Sequence, residues 1–284
     1  MLGRFENSCV IRHGAWEAVV VPAFGMNCVS LRVNDRKILR EAGDMETLEN
    51  SPFLYGTPLL FPANRTANGA FTFEGVTYHL PINEPNWNNH LHGRMFDAPF
   101  TVIEKTENTV TAVYENKGER YPFPFRMTIC DAVTDDGYHR RVTVENTGKG
   151  NMPYTMAFHT AFEEPELFRA QIGLRHERSA TFVPTGRMEQ LTDTEKTYLT
   201  GCCPRGIAIS GYFEAAGEEA YLDDIRFTMS SLFDQRVLFN AGGQSGFLCI
   251  EPQIGWVNGL NIENGHRVLA PGQADSAEMT IGKV

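Results

Sequence analysis

Basic runs are missing from this chain of 284 residues, in which 25 Lys and Arg stand against 35 Asp and Glu for a formal charge of −10. Nucleic acids and anionic membrane surfaces are gripped by clustered cations that displace counterions, so neither is expected as a partner. Also missing is an apolar run of the ~20 residues a membrane-spanning helix requires. The opening stretch, MLGRFENSCVIRHGAWEAVVVPAF, breaks every apolar run with charge and carries no secretory leader pattern, so a soluble, cytoplasmic protein is expected. Cysteine is sparse: Cys9, Cys28, Cys130, Cys202, Cys203 and Cys249 show no CxxC spacing and no disulfide-scaffold density. Adjacent Cys202 and Cys203 could bridge only with strain, and the six are read as reduced thiols. There is no sustained helical period, internal repeat, or Pro/Ser linker, so residues 1–284 read as one domain.

What the chain has in abundance is short β-branched or alternating runs separated by Gly, Asn and Asp, the spacing of antiparallel sandwiches. Phe71 to Leu80 reads as a hairpin turning at Glu74 and Gly75, and the runs flanking Thr134, Asp135, Asp136 and Gly137 form a second, with Asp-Gly supplying positive φ angles. Further strands are expected at Trp16 to Val21, Cys28 to Val33, Phe100 to Glu104, Thr109 to Glu115, Tyr154 to His159, Arg236 to Asn240, Phe247 to Glu251 and Arg267 to Ala270. Forty-two per cent apolar residues suffice for one large all-β core.

Three polar clusters interrupt this pattern. Gly56 to Arg65 (GTPLLFPANR) ends an apolar run in a turn presenting Asn64 and Arg65; Asn83 to Asp97 (NEPNWNNHLHGRMFD) holds His90 and His92; the third joins Tyr154 to Phe162 (YTMAFHTAF) with Cys249 to Asn261 (CIEPQIGWVNGLN). On a strand the i, i+2 spacing of His90 and His92 would point both rings to one face, which raises the question of a metal. The double-stranded β-helix metalloproteins, the cupins, have such an HxH with a carboxylate beyond it, here Asp97. Their second motif needs a late histidine after a P-x-G turn, and nothing after His266 supplies one, so no metal is expected. His159 and Glu251 each follow an apolar strand, where a scaffold can hold a titratable group against a cleft. Either could equally be a satisfied structural side chain.

Taken in order, these segments resemble the aldose 1-epimerase family, also called galactose mutarotases. The matching pieces are Pro58 to Arg65, Gly69 to Leu80, Asn83, His92 with Gly93, His159 to Phe162, Pro184 to Gly186, Leu222 with Asp223, Glu251 with Pro252, and Leu269 to Gly272. Each is short, but their order spans nearly the whole chain. The resemblance implies a large antiparallel β-supersandwich, an open cleft, a small-molecule sugar substrate and no cofactor. It implies Glu251 as the base at the C1 hydroxyl and His159 as the acid at the ring oxygen. His92 and Arg65 would donate hydrogen bonds on the ring-oxygen side, and Asp223, or its neighbour Asp224, would bind sugar hydroxyls. The family's common H-P-Y-F is replaced here by His159-Thr160-Ala161-Phe162, which implies an altered wall beside the sugar.

Trp87 or Phe96 could offer the sugar an apolar face, and His90 reads as structural. Two alternatives stay open. A hexose-phosphate 1-epimerase would need extra arginines, for which Arg94 is the candidate. A non-catalytic carbohydrate-binding protein of the same fold would need hydroxyl partners but not an acid/base pair. The sequence leaves the oligomeric state unknown.

Overall fold

Period-two burial runs through the longest regular hairpin. In the computed structural model, which describes residues 5–284, Phe125–Thr134 buries every second side chain and pairs antiparallel with Gly137–Asn146. Thr134 pairs with Gly137, so the loop is Asp135 and Asp136, and the positive φ (127°) falls on Gly137 alone of these residues. The turn thus lies one position earlier than the Asp-Gly pair suggested. The other expected hairpin, Ala70–Phe73 with Val76–His79, does turn at Glu74 and Gly75, whose φ values of 48° and 80° match a type I′ turn. The leaderless reading of the N-terminus falls partly on residues 1–4, which lie outside the described residues.

Both strands of the longer hairpin belong to a 14-stranded antiparallel sheet. Its path runs through Thr101–Lys105, Thr109–Asn116, Phe125–Thr134, Gly137–Asn146, Ala274–Lys283, Ile225–Met229, Ser210–Leu222, Gln235–Phe239, Phe247–Ile254, Met156–Phe158 and Leu59–Leu60. Off the path, Ala161–Glu163 pairs with Phe247–Ile254, while Phe168–Arg178 lies against Ser210–Leu222 and carries Pro184–Glu189. A four-stranded sheet of Cys9–His13, Trp16–Val21, Asn27–Val33 and Arg36–Lys37 packs Ile11, Ala18, Val20 and Leu31 into one core with Met127, Ile129 and Val142. The expected all-β supersandwich is the fold observed.

The helices are short. Met45–Asn50 is capped by Asp44, and Asp193–Thr200 by a reciprocal capping box between Thr192 and Glu195. No described helix is long and apolar enough to cross a membrane. All six cysteines are free.

The strand Phe247–Ile254 is covered on both sides. All eight of its residues are buried, and apart from Glu251 and Gln253 on one face the sequence is apolar on both, as expected of such a strand. Glu251 is carried inside with them.

Candidate active site

The expected strand from Tyr154 to His159 is broken, and the break builds the site. Met152–Tyr154 pairs with Arg267–Leu269, whereas Met156–Phe158 joins the main sheet. Ala157 then pairs with Gln253 and Ala161 with Cys249 in a constant register, which sets His159 opposite Glu251. Between those pairs the ladder opens. Thr160 N donates to Phe158 O (2.9 Å), closing a three-residue turn about His159, while His159 N donates to Pro58 O (2.9 Å) on a third segment. The imidazole Nε2 thereby comes to 3.3 Å from Glu251 Oε1.

Pro58 is itself anchored from below. Arg140 and Asp131, both fully buried, form a bidentate ion pair with two 2.7 Å bonds, and Arg140 Nη1 also donates to Thr57 Oγ1 at 2.8 Å. Asp131 holds the Arg140 guanidinium charged despite its burial.

Arg65 and His92 arrive by interlocked turns. His92 N donates to Asn64 O (2.8 Å), and the next residue, Gly93, bridges Phe61. A Cβ on Gly93 would stand 1.9 Å from Phe61 O, so only glycine permits this approach. His92 has left the strand Asn89–Leu91, with φ 66°, and its ring meets that of His159 edge to face at 5.4 Å. His90, expected on the same face, instead bonds Pro81 O through Nδ1 (2.6 Å). The strand ends at Leu91, so the period-two argument for the pair fails there. Arg65 bonds Glu84 through Nε (2.8 Å) and Nη2 (2.6 Å), and its Nη1 donates to Tyr212 OH (2.7 Å).

Arg65, His92, His159 and Glu251 line one cavity of about 340 Å³. Its walls include Phe53, Trp87 and Phe182, with Trp87 and Phe182 meeting edge to face at 5.0 Å. Burial dominates the electrostatics. It pushes the Glu251 carboxyl well above the usual carboxylate range, only partly opposed by Arg65, and depresses His159 to about 4. His92 is driven well below its ordinary value by the same burial, reinforced by His159 and Arg65. Both partners of the 3.3 Å contact are therefore biased to their neutral forms.

Several sequence expectations are corrected. Asp223 is not in this cavity. Leu222 pairs with Ile225, which makes Asp223 (φ 54°) and Asp224 the tight loop of a hairpin. The Asp223 carboxylate accepts from Leu167 N (2.9 Å) and lies beside Arg36, and Asp224 also pairs with Arg36. Its local turn chemistry occupies it elsewhere. Arg94 is exposed and outside the cavity lining. Phe96 packs behind Phe53 (4.8 Å) rather than facing the space, whereas Trp87 does line it. Thr160 and Ala161 are fully buried and do not form the wall; Ala161 packs with Leu54 and Phe239, which do.

Glu84, Tyr212, Arg178 and Phe182 belong to the site, and little in the sequence marks them. Glu84 had one available signal, namely that a half-buried Arg65 requires a counter-charge. The other three sit on or beside strands whose sequences do not alternate cleanly.

His159, Cys249 and Glu251 each bring one donor atom within 4.8 Å of the others, a set with the chemistry to take a thiophilic cation. His90 and His92 do not join it. The Cys249 thiol is pushed well up by burial, with Glu251 adding to the shift, which opposes the thiolate a metal would need.

Residues 8–204 match the family model described as aldose 1-epimerase. Rat galactose mutarotase is 26% identical over 186 residues, covering 59% of this chain and 53% of the rat protein, and pig galactose mutarotase is 24% identical over 193 residues, covering 62% and 56%. The chain thus spans about half the length of the curated relatives it matches. Among solved structures, a galactose mutarotase-like protein from Clostridium acetobutylicum superposes with a TM-score of 0.89 at 24% identity, covering 96% of this chain and 93% of that one. The GalM/aldose epimerase homologue from C. elegans gives 0.80 at 16% identity, covering 98% and 99%.

Proposed function

The chain belongs to the aldose 1-epimerase family, and from that premise we propose that it interconverts the α and β anomers of an aldose by acid/base opening and reclosure of the ring. The observation that carries the proposal is the facing of His159 Nε2 and Glu251 Oε1 at 3.3 Å in a sugar-sized cavity. Mutarotation needs one proton acceptor and one proton donor, at two oxygens attached to the same carbon. A buried imidazole and carboxylate side by side are such a pair.

In the ring-opening step the Glu251 carboxylate takes the C1 hydroxyl proton and the His159 imidazolium gives a proton to the ring oxygen as the C1–O5 bond breaks. The aldehyde turns about C1–C2. Reclosure on its other face, with both proton transfers reversed, yields the other anomer. Burial favours the carboxylic acid and neutral imidazole, a pair with the same proton count as the reactive carboxylate and imidazolium. Moving one proton across the 3.3 Å gap creates acceptor and donor together, with none drawn from solvent.

Arg65 and His92 bind the sugar on the ring-oxygen side, where Arg65 is oriented by Glu84 and stays charged. The test is NMR anomer exchange across neutral and charged aldoses with purified protein. Exchange at the uncatalysed rate for every sugar would leave a binding protein of this fold.

A further inference from the structure

One cation in the cavity has no acid to balance it. Arg178 ends the strand Phe168–Arg178, is half-buried and lines the cavity. Its Nη1 donates to Ser210 Oγ (2.9 Å) and its Nη2 to Ser210 O (2.7 Å), and its guanidinium carbon lies 5.1 Å from the Tyr212 ring centroid and 5.7 Å from that of Phe182. Among the described residues no carboxylate pairs with it. A guanidinium has five N–H donors, so the fork keeps donors for a ligand. The other cavity guanidinium, Arg65, is matched by Glu84. Of the two guanidinium groups lining the cavity, Arg178 is thus the one left without a carboxylate partner.

The register places this charge relative to the acid/base pair. Tyr212 pairs with Val237 and Val237 with Glu251, so Tyr212 and Glu251 lie two strands apart on one row, about 10 Å by strand spacing. Arg178 belongs to the strand beyond that of Tyr212, on the side away from Glu251. A pyranose placed with C1 at His159 and Glu251 and its exocyclic carbon directed along this row would carry a group on that carbon toward Arg178.

Resting on the mutarotase reading above, the geometry points to a sugar bearing an anionic group at the end of the ring far from C1 as the preferred substrate, with Arg178 as the residue that reads that charge. Arg94, the cation the sequence offered for this purpose, is outside the cavity. Phosphate and carboxylate share the chemistry Arg178 recognises: a planar fork of N–H donors matching two oxygens of an anion. Phe182 carries this end of the wall in a left-handed backbone conformation (φ 61°), a strained state for a bulky residue of the kind found at ligand clamps.

The experiment compares glucose, glucuronate and glucose 6-phosphate, with the galactose series in parallel, in two readouts. NMR anomer exchange gives kcat/KM, and calorimetric titration gives binding without turnover. At least one anion of a series is expected to exceed its neutral parent by roughly ten- to a hundredfold in kcat/KM, mostly through KM, the range of one charge-assisted hydrogen bond. Which anion leads distinguishes phosphate from carboxylate. Arg178→Gln, checked for folding by circular dichroism, should bring the ratio close to one, and Arg178→Lys should keep part of it.

Neutral sugars exchanged as well as both anions, or a ratio that survives Arg178→Gln, would overturn the inference while leaving the mutarotase reading intact. If no sugar is exchanged, the mutarotase reading fails and titration decides alone. Anion-selective binding lost in Arg178→Gln then upholds the charge-reading role, and equal or absent binding rejects it.

Discussion

His159 and Glu251 occupy opposite positions of an antiparallel ladder that opens where they face each other, with regular pairs at Ala157–Gln253 and Ala161–Cys249 on either side. Register sets the two side chains across from each other. The turn about His159 then frees its ring from the ladder's regular geometry, and the bond from His159 N to Pro58 O fixes it from a third segment.

Glu251→Gln and His159→Ala should each lower kcat for anomer exchange about 10²- to 10⁴-fold, the usual contribution of a positioned acid or base, with circular dichroism unchanged. Near-normal exchange in folded Glu251→Gln protein would remove Glu251 from the mechanism.

The pH dependence follows from the pair, not from either group alone. The active form holds one proton between two sites. The acid limb of kcat/KM marks gain of a second proton, near the depressed His159 value of about 4, and the alkaline limb marks loss of the first, well above the ordinary carboxylate value. A broad plateau between the limbs is expected in the wild type, and one limb only in each variant. A profile narrowly centred near pH 5 would contradict the burial argument.

Stability should respond to Glu251 with a definite sign. Above about pH 4.5 the unfolded chain ionises Glu251 while the folded chain keeps it protonated, so the folded state binds more protons and stability falls as pH rises toward the raised folded value. Glu251→Gln abolishes that loss. The melting temperature of the variant minus that of wild type should therefore grow from pH 5 to pH 8, and a flat difference would mean that Glu251 is ionised in the fold. His159 acts in the opposite direction: its stability contribution is lost as pH falls from about 6.5 toward 4.

Asp131→Ala should cost about 3–5 kcal/mol in urea unfolding, because it strands the buried Arg140 charge. Removing both charges with Asp131→Leu and Arg140→Met should cost less than the single change. A single-variant loss below about 1 kcal/mol would show that the pair does not carry the Thr57–Pro58 segment.

Exhaustive chelation should leave exchange activity unchanged, since the proposed chemistry asks only for two proton transfers. Loss with EDTA, restored by one added metal, would instead assign His159, Cys249 and Glu251 as ligands.

Much of the fold was legible because sandwiches announce themselves by alternation: Trp16–Val21 has the same bounds in the structure as its sequence pattern predicts. Ser210–Leu222 was not legible. It carries Gly211, Ala215, Ala216, Gly217 and three glutamates, all poor strand formers, and its neighbour Phe168–Arg178 pairs with it through two register shifts. Tyr212 and Arg178 were hidden with those strands. Ordered motifs rather than periodicity single out His159 and Glu251, because nothing in a local pattern brings residues 159 and 251 together. Asp223 failed for the converse reason: a local turn claimed the side chain that a motif had assigned to a distant cleft.

The cavity also divides its labour along the sheet. The proposed proton-transfer groups stand on Phe247–Ile254 and at the break before Ala161–Glu163, while Tyr212, Arg178 and Phe182 belong to strands and a turn beyond Gln235–Phe239. Substitutions at that outer end can reshape what the cavity accepts without disturbing the register that sets His159 against Glu251. Such an arrangement lets a lineage change its diet while keeping its chemistry.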